Sequence, residues 1–209
     1  WLLIGMTPAQ AAANSSFMVF GIGGGALAAF RKTQYVPENK KLIIILGCIT
    51  VVASVIGALL LPHFETETFK PVLAIMTIAA LPLLFINKKK LPSSKQSQRI
   101  GIVLFSILVV VGSITFSSTF WILIAIVLAT MFNMTILQGT VIRRIMGLIQ
   151  ALVLFILLAS VGNFVWQYAV AGVIGAIIGS YIGTKFAISK GEKFARYALA
   201  VTALISAVA

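Results

Sequence analysis

The sequence predicts an all-α fold, a polytopic membrane helix bundle of about seven to eight spanning segments, built from two repeats with interrupted helices. Three observations predict it. The 209 residues are 60% hydrophobic and only 10% charged, where a soluble domain carries roughly a quarter charged residues. The apolar residues come in blocks: residues 42–61, 100–142 and 145–184 contain no charge, and roughly 20 apolar residues make one helix across a bilayer core of about 30 Å. The net charge of +12 collects in the short segments between blocks. That pattern fits loops held in the cytoplasm by the positive-inside rule rather than a nucleic-acid-binding surface. The expected partner on the outside of the bundle is therefore lipid, in a multi-pass cell-membrane protein.

The elements follow in order. Residues 8–30 open on Pro8 and small residues and form a helix. Residues 31–41 read as a basic loop, 42–61 as a span, 62–69 as a short loop with His63, Glu65 and Glu67, and 70–86 as a span back. Residues 87–99, NKKKLPSSKQSQR, form a hydrophilic linker with five basic residues. Residues 100–132 are interrupted by GSITFSST at 112–119, six of whose eight residues are Gly, Ser or Thr. Residues 138–161 span, 162–167 turn, and 168–187 span again. A basic loop follows at 189–196, and a last helix starts at Tyr197. The chain begins at Trp1 inside an apolar stretch, so further helical sequence is expected ahead of it.

The two halves resemble each other, as a single transmembrane domain of repeat one (1–86), a basic cytoplasmic linker (87–99) and repeat two (100–209). GMTPAQAAANSS at 5–16 shares Met, Thr and Gln with NMTILQGTVIRR at 133–144, and ASVIGALLL at 53–61 matches AGVIGAIIG at 171–179. Basic loops at 31–41 and 87–99 belong inside, as do Arg143, Arg144, Lys185, Lys190, Lys193 and Arg196, which leaves 162–167 outside, although its counterpart in the alignment is the inside loop around Tyr35. The halves are then inverted, which requires residues 100–132 to enter and return on one side, with the Gly/Ser/Thr break at the tip.

Chemistry is constrained by what is missing. There is no Asp, the four Glu residues (Glu38, Glu65, Glu67 and Glu192) all fall in expected loops, and His63 and Cys48 are each the only residue of their kind. No cluster suits a metal and no serine has an evident base, so neither cofactor nor enzymatic activity is expected. The spans do carry neutral hydrogen bonders: Gln10, Asn14, Ser15 and Ser16 in the first helix; Ser113, Thr115, Ser117 and Ser118 at the break; Asn133, Thr135, Gln138 and Thr140 in the second half, with Gln150 two turns on. Arg143 and Arg144 add guanidinium groups. Donors without carboxylates suit a small anion. Gln10, Asn14, Ser15, Ser16, Ser113, Thr115, Ser117, Ser118, Asn133, Thr135, Gln138, Thr140 and Arg143 are the expected substrate-binding residues. The competing reading makes the hydroxyls and amides interhelical glue. GIGGG at 21–25 follows no strand, so it reads as close helix packing or a local break rather than a phosphate loop.

These residues carry a resemblance to the TauE/SafE family of sulfite exporter-like permeases. It rests on GMTPAQAAANSS, on LQGTVIRR with Arg143 where the family often has a basic residue, and on GNFVWQYAVAGVIGAIIGSYIGTKFA, a polar turn with Trp leading into a glycine-rich helix. The resemblance implies a duplicated unit of about eight helices and movement of sulfite or organosulfonate anions. One departure is GIGGG, which stands after the proline element, whereas the family's glycine run precedes it; no role is carried over to it. The leading expectation is a permease for a small oxyanion, working by alternating access between two repeats. The alternatives are an anion channel or organic-acid permease, and a non-transporting membrane scaffold or assembly subunit.

Overall fold

A computed structural model describes residues 8–36, 39–60, 95–115, 118–159 and 164–208. Every element among them is a helix: α1 (Pro8–Phe30), α2 (Lys40–Leu60), α3 (Lys95–Thr115), α4 (Ser118–Met131), α5 (Ile136–Ala159) and α6 (Trp166–Val208). A spanning chain has no water to satisfy its backbone, and a helix pairs its own N–H and C=O groups. Five of the six are long and apolar enough to cross a membrane. The 14 residues of α4 extend about 21 Å at 1.5 Å per residue, short of a full bilayer core. The expected span 70–86, the loop with His63, Glu65 and Glu67, and the linker up to residue 94 lie outside the described residues.

Helix directions are fixed by which ends meet. Ser97 near the start of α3 places its Oγ 3.4 Å from the Met131 carbonyl at the end of α4. Gly101 faces Met131 and Phe132. The 100–132 block thus enters and leaves by one end. That end also holds the C-terminus of α1, where Phe30 packs with Tyr35, Leu137 and Val141. The basic residues Arg31, Lys32, Lys40, Lys41, Lys95 and Arg99 flank these same helix ends, the pattern that the positive-inside rule associates with a cytoplasmic face.

Three boundaries differ from the sequence reading. Lys95–Arg99 is the first turn of α3, not linker. Gly112, Ser113 and Thr115 continue α3 and Ser118 begins α4; residues 116–117 lie outside the described residues. The third is the expected loop at 189–196, which is helical. α6 runs through 43 residues and breaks only at Gly191, with φ 79° and ψ −173°. A straight helix of that length would extend about 65 Å, twice the bilayer core. The break divides it into two limbs with different neighbours. The first packs against α1; Ala195, Leu199 and Ala200 of the second meet Ile122, Ile126 and Ala129 of α4 and Ile136 of α5.

Small residues allow the close pairing of α1 with the first limb. A Cβ added at Gly21 would stand 2.7 Å from the Val173 carbonyl oxygen and 3.1 Å from Ala176 Cβ. Without hydrophobic drive in lipid, such backbone approach is a main source of helix association. The α1 helix runs unbroken through residues 21–25, so GIGGG is a packing surface. On the other side of the molecule, α5 is central. Its Ile142 and Met146 share a buried cluster with Leu46 and Ala53 of α2, Phe105 and Val109 of α3, and Leu123, Ile124 and Leu128 of α4. Outward-facing Ile44, Val52 and Leu59 on α2, Val103 and Ile107 on α3, and Ile174, Ile178 and Ile182 on α6 are exposed, an apolar surface that suits lipid and not water.

Candidate functional site

The candidate residues sort by height along α1 and α5, which run antiparallel: Phe17 sits beside Phe155, Gly23 faces Leu148, and Phe30 packs on Leu137. Asn14 and Thr140 therefore lie about 20 Å apart along the membrane normal at 1.5 Å per residue. The structure brings the expected donors together in three places rather than one.

The outer place is built on α1. Asn14 is fully buried, and its Oδ1 accepts the Val165 N–H at 3.1 Å. Val165 precedes the first residue of α6, so an α1 side chain caps the entry to α6, meeting a backbone donor that the helix itself leaves unpaired. Ser16 is buried one half-turn on, and Gln10 and Ser15 are half-buried. Four phenylalanines close this end. Phe17 stands 5.3 Å from Phe155 and 5.2 Å from Phe164, Phe155 stands 5.1 Å from Phe164, and Phe20 joins at 6.0 Å from Phe17 (centroid to centroid). Edge-on and tilted contacts of this kind are favourable beyond the area they bury.

A second, smaller place lies between α3 and α5. Buried Ser113 donates to the Val109 carbonyl at 2.8 Å and accepts from Gln150 Nε2 at 2.6 Å. The Gln150 Oε1 is buried without a partner. The side chains of Thr115 and Ser118, and residue Ser117 as a whole, lie outside the described residues.

The third place is the cytoplasmic start of α5. Asn133 is exposed and takes a positive φ of 53° in the turn from α4, a conformation that asparagine adopts more readily than most residues. Thr135 and Gln138 form a reciprocal cap. The Gln138 N–H donates to Thr135 Oγ1 at 3.0 Å, and the Thr135 N–H donates to Gln138 Oε1 at 2.9 Å. Thr140 donates back to the Ile136 carbonyl at 2.8 Å. Arg143 and Arg144 follow, both half-buried, about 11 to 12 Å into the helix. Neither forms an ion pair among the described residues, and Arg144 Nε is buried with no hydrogen-bond partner.

One finding corrects the sequence reading directly. Glu192 is not in a loop. It lies in α6 just beyond the Gly191 break, and its carboxylate accepts the Ile136 N–H at 2.5 Å and the Leu137 N–H at 3.3 Å. Arg196 stands 3.7 Å from it, one turn on. The sequence offered no signal for a contact spanning 56 residues. The Phe17–Phe20–Phe155–Phe164 cluster also went unread, although Phe17 and Phe20 share a helix face. A groove of about 480 Å³ runs between α1 and the first limb of α6. Phe20, Gly24, Val173, Ile177 and Tyr181 are among the residues lining it, and it contains none of the expected donors.

Comparison with known proteins completes the picture. A probable membrane transporter protein of Haemophilus influenzae is 25% identical over 203 residues, covering 93% of this chain and 77% of the relative. The probable membrane transporter protein YfcA of Escherichia coli K12 is 26% identical over 210 residues, covering 96% of this chain and 75% of the relative. No solved structure gives a significant match. With its apolar spans, the basic residues gathered at one end of its helices and a match to the family model along residues 1–209, this multi-pass membrane protein belongs to the Sulfite exporter TauE/SafE family.

Proposed function

We propose that this protein is a permease for a small oxyanion, of the sulfite or organosulfonate class, working by alternating access. The observation that carries the anion reading is a charge imbalance inside the bundle. The described helices α1 to α5 contain no carboxylate, Glu192 of α6 is taken up by the Ile136 and Leu137 N–H groups and by Arg196, and α5 holds Arg143 and Arg144 with no ion-pair partner among the described residues. An unpaired cation held away from water is costly. A polytopic protein that keeps two of them on its central helix is built to have an anion beside them for part of its cycle. Guanidinium groups match the geometry of sulfonate and sulfite oxygens, to which they donate two parallel hydrogen bonds.

The substrate is taken to travel along α5. Thr135, Gln138, Thr140 and Arg143, with Asn133 at the turn, form a cytoplasmic station. Gln10, Asn14, Ser15 and Ser16 form an outer one, and Ser113 stands with Gln150 between α3 and α5. Separation of the two stations supports a carrier that exposes them in turn, with the four-phenylalanine cluster as the outer seal. The antiparallel course of α1 and α5, whose sequences align in the two halves, supports an inverted repeat. The family name and the relatives' printed names support transport; they leave the anion itself to experiment.

The test is flux in proteoliposomes with labelled sulfite, sulfate and a short organosulfonate. Arg143→Gln and Arg144→Gln should each lower uptake at least tenfold, the loss of one charge-assisted contact of about 1.4 kcal/mol or more. Normal flux in both variants would remove the anion reading. Flux that rises linearly with concentration, without saturation, would assign a channel in place of a carrier.

A further inference from the structure

Glu192 combines three properties found together nowhere else among the described residues. It accepts hydrogen bonds from two successive backbone N–H groups of another helix, at Ile136 and Leu137. It directly follows Gly191, whose φ of 79° and ψ of −173° belong to a region essentially reserved for glycine. It also stands at the root of a limb with its own neighbours: the first limb of α6 pairs with α1, and the second pairs with α4 through Ala195, Leu199 and Ala200. A hinge, a moving arm and a polar contact fastening the arm to the central helix are thus adjacent in sequence.

The start of α5 does not need Glu192 in order to be capped. Thr135 and Gln138 already close the helix end on each other. The carboxylate takes only the two N–H groups between them, at Ile136 and Leu137, at the basic end of the bundle, where water would have to replace it when it leaves. The contact is therefore able to open, and the apolar packing of Ala195, Leu199 and Ala200 against Ile122, Ile126, Ala129 and Ile136 would remain behind it. Arg196, at 3.7 Å, holds the carboxylate from its own limb and would travel with it.

We propose that Glu192 is an intramolecular latch: its carboxylate fastens the second limb of α6 to the start of α5 in this conformation, and its release lets the limb turn at Gly191 and opens the cytoplasmic station to water. This deepens the transport reading and rests on it for its meaning. The latch itself is a statement about two elements of the chain and is measurable without any substrate.

Two measurements test it in a Cys48→Ser background. In the first, a cysteine at Ile136, a position 2% exposed, is probed in sealed inside-out vesicles with a membrane-impermeant maleimide. Glu192→Ala should label at least tenfold faster, the loss of about 1.4 kcal/mol or more of holding free energy, and Glu192→Asp should stay near the parent rate. Equal labelling in the parent and Glu192→Ala would overturn the latch. In the second, the pair Ile136→Cys and Glu192→Cys is oxidised in proteoliposomes and sulfite flux is followed. Flux should stop on cross-linking and return with reductant, while the cross-linked protein stays monodisperse. A cross-linked pair with undiminished flux overturns the latch, and so does a pair that never cross-links. Parent protein that moves none of the tested anions while the labelling difference persists would instead sink the transport reading and leave the latch standing.

Discussion

Adjacent glycines on α1 give opposite expectations, and their difference isolates one physical effect. Gly24 and Gly25 occupy neighbouring positions in the same helix, so replacing either by alanine brings the same gain of about 0.8–1 kcal/mol in helix propensity. Their surroundings differ. A Cβ at Gly24 meets nothing within 4 Å, whereas one at Gly25 would run into the Ile177 carbonyl and Ser180 Oγ. Backbone cannot rotate aside, so the helices must part along the contact that Gly21 and Gly25 share. Overpacking of this kind costs about 1–3 kcal/mol. Gly24→Ala is therefore expected to stabilise by up to about 1 kcal/mol, and Gly25→Ala to range from neutral to about 2 kcal/mol destabilising. Because the propensity gain cancels, the difference between the two variants reports the helix contact alone. At about 2–4 °C per kcal/mol for a chain of this size, the two melting temperatures should differ by roughly 2–12 °C. Thermal unfolding in one detergent, followed by the loss of monodisperse protein on gel filtration, reads it directly. Identical shifts in Gly24→Ala and Gly25→Ala would refute the close pairing of α1 with α6, and the parallel arrangement of these helices would have to be redrawn.

Other outcomes follow from single contacts. Asn14→Leu keeps the branched shape but leaves the Val165 N–H unpaired; it should cost about 1–3 kcal/mol and speed amide exchange at Val165, with exchange mass spectrometry as the check. Gly191→Ala places a Cβ in a glycine-only region and should cost about 1–3 kcal/mol in denaturant unfolding, although nothing lies within 4 Å of that Cβ to clash with it; an unchanged midpoint would mean that the hinge conformation is not the one described.

The sequence made the helices legible because lipid imposes a one-dimensional rule. A run of about 20 uncharged residues has few alternatives to a spanning helix, and α2 and α5 end within two residues of their expected limits at most. The same rule misread SKGEKFAR. Charges there suggested a loop, yet at the cytoplasmic face a helix carries Lys190, Lys193 and Arg196 with their heads in water and their stems along the apolar surface. The basic pair on α5 and the small-residue face of α1 were also readable, since both are local features. Partnerships were not. Nothing near Asn14 announces that its amide will cap a segment 151 residues later. Nothing near Glu192 announces Ile136. Such contacts depend on how helices are arranged around each other, and a hydrophobic pattern encodes burial without naming the neighbour.

The ring of Phe17, Phe20, Phe155 and Phe164 has an electrical consequence. Moving a bare oxyanion from water into a hydrocarbon-like plug costs on the order of 20 kcal/mol before any compensation. A membrane voltage contributes only about 2.3 kcal/mol per charge for each 100 mV. With those rings in contact, voltage alone is too weak by nearly tenfold to force a charge through. For the permease proposed above, with these rings as its outer seal, ion gradients would drain only during whatever brief interval the aromatic side chains spend apart.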